Sequence, residues 1–172
     1  MTLKRAMGAL LAPLFLSACA DDVAAPDVYF CSEPHGTCSE VVTGLIEGAG
    51  STVECAIYSF TDPEIAQAMI DAVGRGVQVW VLYEQQQHGS IAAMASNIAL
   101  LKGGGVYVRE DGNSATMHHK FVIIDGETVA TGSFNFTNNA NWNNDENLLV
   151  LRSPELAGQY SVEFQRVWNE GQ

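Results

Sequence analysis

The stretch His118-His119-Lys120-Phe121-Val122-Ile123-Ile124-Asp125-Gly126-Glu127-Thr128-Val129-Ala130-Thr131-Gly132-Ser133-Phe134-Asn135 decides the reading of this chain. Its first half is an apolar, strand-forming run, and Asp125-Gly126 suits a two-residue turn. His119–Ile124 and Thr128–Thr131 are therefore expected to pair as a hairpin. The same residues carry chemistry. An imidazole can attack phosphorus, an ammonium neutralises phosphate oxygens, and Ser and Asn supply small hydrogen-bonding groups. Glu146, eleven residues beyond Asn135, adds a carboxylate able to orient an imidazole. No metal-ligand spacing accompanies the pattern, and no cofactor is expected.

Side chains alternate along a strand, so His118 and Lys120 share one face and His119 points to the other. Only His118 can share a phosphate with Lys120, and His119 is expected to be packed or hydrogen-bonded. Asp125 stands between a turn-former and a functional residue, because Asp before Gly is itself a turn preference. Gly132 is expected to let backbone approach a ligand. Ser133 and Asn135 could each be a turn or cap residue, but at this spacing from His118 and Lys120 they read together as a phosphate site. Glu146 precedes an apolar strand, where a buried carboxylate needs a partner such as an imidazole N–H.

Outward from this stretch, strands alternate with helices. Val28–Cys31 and Thr52–Phe60 read as strands around a helix from about Ser39 to Ala49. Asp62-Pro63 opens a second helix that stops near Gly74-Arg75-Gly76, and Val77–Tyr83 comes next as a strand of the buried type. Ser90–Lys102 is a third helix ended by Gly103-Gly104-Gly105, and Val106–Arg109 a further strand. Asn147–Arg152 supplies the last strand, and Ser153-Pro154 starts a terminal amphipathic helix carrying Leu156, Tyr160, Phe164, Val167 and Trp168. The expected fold class is α/β, with a mixed β-sheet sandwiched between helices.

At the other end, Lys4 and Arg5 precede an apolar stretch, Ala6–Ala18, too short to span a bilayer. It reads as an export signal over residues 1–18. Leu16-Ser17-Ala18-Cys19 is similar to the lipobox of bacterial lipoproteins, which implies lipidation of Cys19, a tether over 19–27 and one folded domain over 28–172. The implied location is membrane-anchored, on the periplasmic face. Loss of residues 1–18 removes Lys4 and Arg5 and leaves six Lys and Arg against 20 Asp and Glu, a formal charge of −14 where the whole sequence has −12. Affinity for a polyanion comes mostly from Lys and Arg contacts, so a small basic cleft on an acidic body is expected, built from Arg109, His118, His119 and Lys120.

The pattern H-x-K-x4-D-x6-G-S-x-N resembles the signature of the phospholipase D superfamily. Val28-Tyr29-Phe30, Ala56-Ile57-Tyr58-Ser59-Phe60-Thr61, Arg75-Gly76-Val77-Gln78-Val79, Ser90-Ile91-Ala92-Ala93-Met94, Phe136-Thr137 and Glu146-Asn147 extend the likeness over nearly all of the domain. They resemble the small single-motif bacterial endonucleases of that superfamily, with the mitochondrial cardiolipin hydrolases a more distant match. The resemblance implies a phospholipase D-like fold and a phosphohistidine mechanism without metal. It makes His118 the nucleophile, Lys120, Ser133 and Asn135 phosphate ligands, and Glu146 the group that orients His118, with Asp125 completing the motif. One departure is Glu84-Gln85-Gln86-Gln87, where relatives commonly carry an Asp and basic residues, which puts the substrate preference in question.

The mechanism needs a second acid, and a second His is the natural group. This chain has a single H-x-K, so a homodimer bringing His118 of each protomer to a shared site is expected. The implied substrate is single-stranded nucleic acid, DNA or RNA. A phospholipid of the anchoring membrane is the alternative, and a binding lipoprotein that has lost activity a third. Among the cysteines, a Cys31–Cys38 disulfide suits an exported protein; its rival is zinc held by Cys31, His35, Cys38 and Cys55, since a more distant superfamily relative has a zinc-binding element. Cys55, in an apolar strand, is otherwise expected to be simply buried.

Overall fold

Asp125 and Gly126 both adopt positive φ, 54° and 67°, in a tight turn closed by the Glu127 amide donating to the Ile124 carbonyl at 3.0 Å; because Ile124 pairs with Thr128, the connection has three residues rather than the two expected. It joins β5 (Lys120–Ile124) to β6 (Thr128–Gly132), which pair as the expected hairpin with Phe121 opposite Thr131. The computed structural model describes residues 25–32 and 37–171. The expectations placed on residues 1–18, on Cys19 and on His35 lie outside the described residues.

Around the hairpin, β1 (Asp27–Cys31), β2 (Thr52–Ile57), β3 (Gln78–Tyr83), β4 (Tyr107–Glu110) and β7 (Glu146–Arg152) complete a seven-stranded sheet of order β1-β7-β6-β5-β2-β3-β4. β2, β3 and β4 run parallel, and every other neighbouring pair is antiparallel, so the sheet is mixed as expected. The helices are α1 (Thr37–Glu47), α2 (Pro63–Gly74), α3 (Gln85–Ser90), α4 (Ala92–Gly103), α5 (Asn138–Trp142) and α6 (Pro154–Glu170). One sheet face packs Cys55, Ile57, Val79, Val81 and Val122 against Val42 and Ile46 of α1, Ile65 and Met69 of α2 and Ile98 of α4. The other packs Ala56, Leu82, Phe121, Ile123 and Val129 against Ala157, Phe164 and Val167 of α6. Each strand thus sends alternate residues into two cores, and each large apolar side chain so buried contributes about 1.5–3 kcal/mol.

Local chemistry fixes the helix starts. Asp62 Oδ1 accepts from the amides of Glu64 and Ile65 at 2.9 and 3.3 Å, with Pro63 in the first turn. Ser153 Oγ accepts from Leu156 N at 3.3 Å ahead of Pro154. Three further expectations need correction. β2 ends at Ile57 rather than Phe60, because Phe60 leaves the ladder to bridge Phe136. The helix expected over Ser90–Lys102 is α4 preceded by a separate short α3, with extended Ile91 between them. α5 is too short to show a helical period and went unforeseen.

Strand directions gather the polar groups of interest. The C-terminal ends of β1, β2, β3, β4 and β6 and the N-terminal ends of β5 and β7 all lie along one edge of the sheet. That edge carries Tyr58, Glu84, Asp111, the segment His118–Lys120, Ser133 and Glu146. Asp125 and the turn before β2 occupy the opposite edge.

Candidate active site

His118 is exposed at the mouth of β5, and Lys120, two residues on, is only 9 % exposed. The Lys120 Nζ lies 3.2 and 3.3 Å from the two ring nitrogens of His118 and donates to the His118 carbonyl at 3.0 Å. Burial pushes the ammonium below its ordinary pKa, while the Glu146 carboxylate pulls it back up. An exposed imidazole thus sits beside a desolvated cation, an arrangement in which a phosphate oxygen is attracted more strongly than in water. Beneath both lies Tyr58, whose ring is centred 4.4 Å from the His118 ring and 5.0 Å from the Lys120 Nζ.

The β6–β7 side supplies the remaining groups. Ser133 Oγ donates to Glu146 Oε2 and accepts from Asn147 N at 3.1 Å. Glu146 Oε1 accepts from Asn144 Nδ2 at 2.9 Å, so both carboxylate oxygens are engaged within this chain. The carboxylate expected to orient His118 instead bonds Ser133 and Asn144, and the imidazole rests on Tyr58 and Lys120. Asn135 Oδ1 is buried without a hydrogen-bond partner. Rotating that amide exchanges oxygen for NH2 and turns the position into a donor for an anionic oxygen. Gly132 has a reason different from the one expected. A Cβ there would meet the Asn147 carbonyl oxygen at 2.2 Å, so the glycine admits the neighbouring strand rather than a ligand.

The other candidates separate by location. His119 points away from Lys120 as strand alternation requires, with its Nε2 3.0 Å from Glu163 Oε1 on α6 and its ring against Phe121. Glu163 also takes two hydrogen bonds from Arg166, and that guanidinium, with smaller help from His119, holds the carboxyl down at about 2 despite burial. Asp125 faces the far edge, where its carboxylate accepts from the amides of Gly50, Ser51 and Thr52 and from Ser51 Oγ at 2.7–2.9 Å. Five strand residues separate it from His118, on the order of 20 Å along β5. Arg109, expected in the basic cleft, lies 4.7 Å from the Trp168 ring centre and donates to the Trp168 carbonyl, closing the C-terminal end of α6.

Two contributors were given no part beside His118 by the sequence reading. Tyr58 is one. Glu84 is the other, 1 % exposed, its Oε2 accepting at 2.6 Å from Met117 N, the amide preceding His118. Neither contact has a sequence signal, since each joins segments far apart in the chain. A cleft of about 420 Å³ opens beside the site on the α6 side, running from His118 and Lys120 past Thr131 and Gly132 to Gln159 and Tyr160. Cys31 and Cys38 are joined as a disulfide, Cα atoms 5.6 Å apart, tying β1 to α1. Cys55 is a free, fully buried thiol whose pKa burial pushes up. Among the described residues no group of three or more His, Cys, Asp or Glu is arranged to hold a metal ion.

Comparison with known proteins agrees with this geometry. The family model described as cardiolipin synthase, PLD-like domain, matches residues 42–168. The Xenopus laevis mitochondrial cardiolipin hydrolase is 36% identical over 142 residues, which cover 81% of this chain and 66% of that protein. This chain therefore spans just under two thirds of that relative. Among solved structures, Nuc from Salmonella typhimurium, a phospholipase D family member, superposes with a TM-score of 0.80 at 33% identity, covering 86% of this chain and 97% of that one. NucT from Helicobacter pylori superposes at 0.75 with 25% identity, covering 86% and 98%. With the family model matching most of its length and the mixed sheet superposing on Nuc, the chain belongs to the phospholipase D superfamily of phosphodiesterases.

Proposed function

We propose that this chain is a phosphodiesterase working through a phosphohistidine intermediate, and that its substrate is single-stranded nucleic acid. The observation that carries the reading is the exposed His118 imidazole held 3.2 Å from a buried Lys120 ammonium at the open edge of the sheet. In this reading Lys120 and the Asn135 amide hold the non-bridging phosphate oxygens, and Ser133, whose hydroxyl bonds Glu146, is a further phosphate ligand. His118 attacks phosphorus, and a P–N bond forms as the P–O bond to the leaving group breaks. The departing alkoxide takes a proton from His118 of a second protomer. Water then attacks the phosphohistidine and gives its proton to that same imidazole, the P–N bond breaks, and His118 is regenerated. The second histidine comes from a homodimer, because His119, the other imidazole of the motif, is bonded to Glu163 on the opposite face.

Charge supports a single exposed strand over duplex. Among the described residues Arg75 is bonded to the Ile46 carbonyl, Arg109 to Trp168, Arg152 to Asp27 and Arg166 to Glu163 and Glu170, while Lys102 sits in the last turn of α4, ahead of the start of β4 and away from His118, which leaves Lys120 as the cation at the site. A dimer then offers few phosphate contacts, and affinity falls with log salt at a slope of roughly 0.7 per contact. The resemblance to superfamily endonucleases supports the same substrate. Phospholipid is the second reading, favoured by the likeness to mitochondrial cardiolipin hydrolases and by the lipobox-like Leu16-Ser17-Ala18-Cys19. That motif supports an exported, Cys19-lipidated protein facing the periplasm, which partitions into detergent and is released by Cys19→Ser.

The deciding experiment is a competition in one buffer between labelled single-stranded DNA and cardiolipin vesicles, with His118→Asn as the blank. Strand scission above the blank supports the nuclease. Phosphatidic acid release without scission replaces it with the phospholipase, and neither product points to a binding lipoprotein.

A further inference from the structure

Glu84-Gln85-Gln86-Gln87, read in the sequence as bearing on substrate, instead bonds the residue before His118 and the ring beside it. Glu84 closes β3 and caps α3, its Oε1 accepting from Gln86 N at 3.0 Å. Its Oε2 accepts from Met117 N at 2.6 Å, which fixes the chain one residue before His118. Three residues on, Gln87 Nε2 donates to the Tyr58 hydroxyl at 2.8 Å. Tyr58 in turn donates its amide to the His119 carbonyl at 2.9 Å and lays its ring 4.4 Å from that of His118. A third tie, from Gln85 N to Asp111 Oδ1 at 3.0 Å, fastens the same turn to the end of β4. The turn therefore meets His118 from two directions, through the backbone before it and the ring beneath it.

We propose that the Glu84–Gln87 turn is a positioning device for the nucleophile, with Glu84 setting the backbone of His118 and Gln87 holding Tyr58 as the surface on which the imidazole and the Lys120 ammonium rest. The need for it is visible in the site. His118 is exposed, and the carboxylate that could have oriented its ring is engaged with Ser133 and Asn144. A free imidazole rotates among staggered positions, and in-line attack on phosphorus requires one of them. The Tyr58 ring supplies that restriction without a competing acceptor for the attacking nitrogen. It also favours the charged state of Lys120 through its π face, in a place where burial disfavours it. Glu84, Gln87 and Tyr58 are thus positioning residues, acting through His118 and Lys120.

The inference rests on the reading of His118 as nucleophile, and the test separates the two. In the full-length chain, the carbon-bound ring protons of His118, assigned by their loss in His118→Asn, should show an upfield ring-current displacement. Tyr58→Leu should abolish the displacement and lower kcat about 10- to 30-fold with KM changed less than about twofold, the pattern of lost orientation. Tyr58→Phe should keep the displacement and retain activity to within about threefold of wild type. Gln87→Ala should match Tyr58→Phe, and the double variant should be no worse than either alone, since both remove one contact. A His118 resonance in Tyr58→Leu that stays where it is in wild type, a loss confined to KM, additive Gln87 and Tyr58→Phe effects, or a Phe variant as poor as Leu would each overturn the proposal. Activity surviving in His118→Asn would sink the nucleophile reading instead, while the resonance still reports whether the rings are in contact. Should Tyr58→Leu fold poorly, the Phe and Gln87 pair decides alone.

Discussion

The two edges of the sheet spend their polar groups in opposite ways. At the edge holding the hairpin turn, the Asp125 carboxylate collects four hydrogen bonds from Gly50, Ser51 and Thr52, and the neighbouring ladder is complete. At the other edge Lys120 is buried beside an imidazole, Asn135 and Asp111 each bury an oxygen without a partner, and Asp111, desolvated and flanked by Glu84 and Glu110, is held above the usual carboxylate range even with a bond from Gln85. Saturated groups stabilise a fold, whereas unsaturated ones keep free energy in reserve for a ligand. Two carboxylates of one chain thus have opposite pKa shifts, according to whether the backbone was built to meet them or to leave them short.

The contrast breaks most visibly at His118. His118→Asn should lower phosphodiesterase activity by roughly 10³-fold or more, as for a member of a catalytic unit, while the melting temperature stays within about 2 °C of wild type. Lys120→Met should cost at least about 10²-fold in activity, yet leave the melting temperature equal or higher, because it removes a desolvated charge whose cost the fold now bears. Activity assays beside calorimetry check both, and a large drop in stability for either would mean that this edge is structural after all.

Asp125 should give the reverse result. Burial works against its ionisation, but the bonds from Gly50, Thr52 and Ser51 prevail and hold the carboxyl at about 2. Its folded pKa lies below the unfolded value near 4, so its contribution is present above about pH 4 and fades as pH falls towards 2. Asp125→Ala should lose about 1–2 kcal/mol at pH 7, after allowance for solvent around the group, with kcat unchanged. Denaturant titrations at pH 7 and pH 2.5 test this, since the gap between variant and wild type should narrow to well under half at the lower pH. The smallest effect belongs to His119→Gln. Losing a half-exposed pair with Glu163, which Arg166 still holds, should change activity less than about threefold and stability by under about 1 kcal/mol.

How much could be read beforehand depends on how far apart the interacting residues stand in the chain. The hairpin pairing, the opposite facings of His118 and His119, and the helix openings at Asp62-Pro63 and Ser153-Pro154 depend on neighbours in sequence, and they stand in the structure as anticipated. The expected hairpin already put Asp125 at the end of its strand away from His118, but its partners lie 73 to 75 residues away, so what its carboxylate binds there has no signal in the sequence. Glu84 reaches across 33 residues to Met117 and Gln87 across 29 to Tyr58, which made a departure from the relatives look like a matter of substrate when its contacts are with the nucleophile. Gly132 was rightly marked as a close approach, but only the register of β6 on β7 reveals that the approaching group is a carbonyl of Asn147.

The pairing of β1 with β7 sets an order of events during synthesis. The first strand among the described residues finds its neighbour in the last, with Cys31 opposite Glu146, so β1 waits for more than a hundred residues to follow before it gains a ladder. For that interval it is an open template, and Val28 and Phe30, which remain 50% and 74% exposed even after folding, give it an apolar side that nothing among the described residues covers. β1 is therefore where a holding chaperone has most to do, and where a chain still short of its last strand is most prone to association with its neighbours.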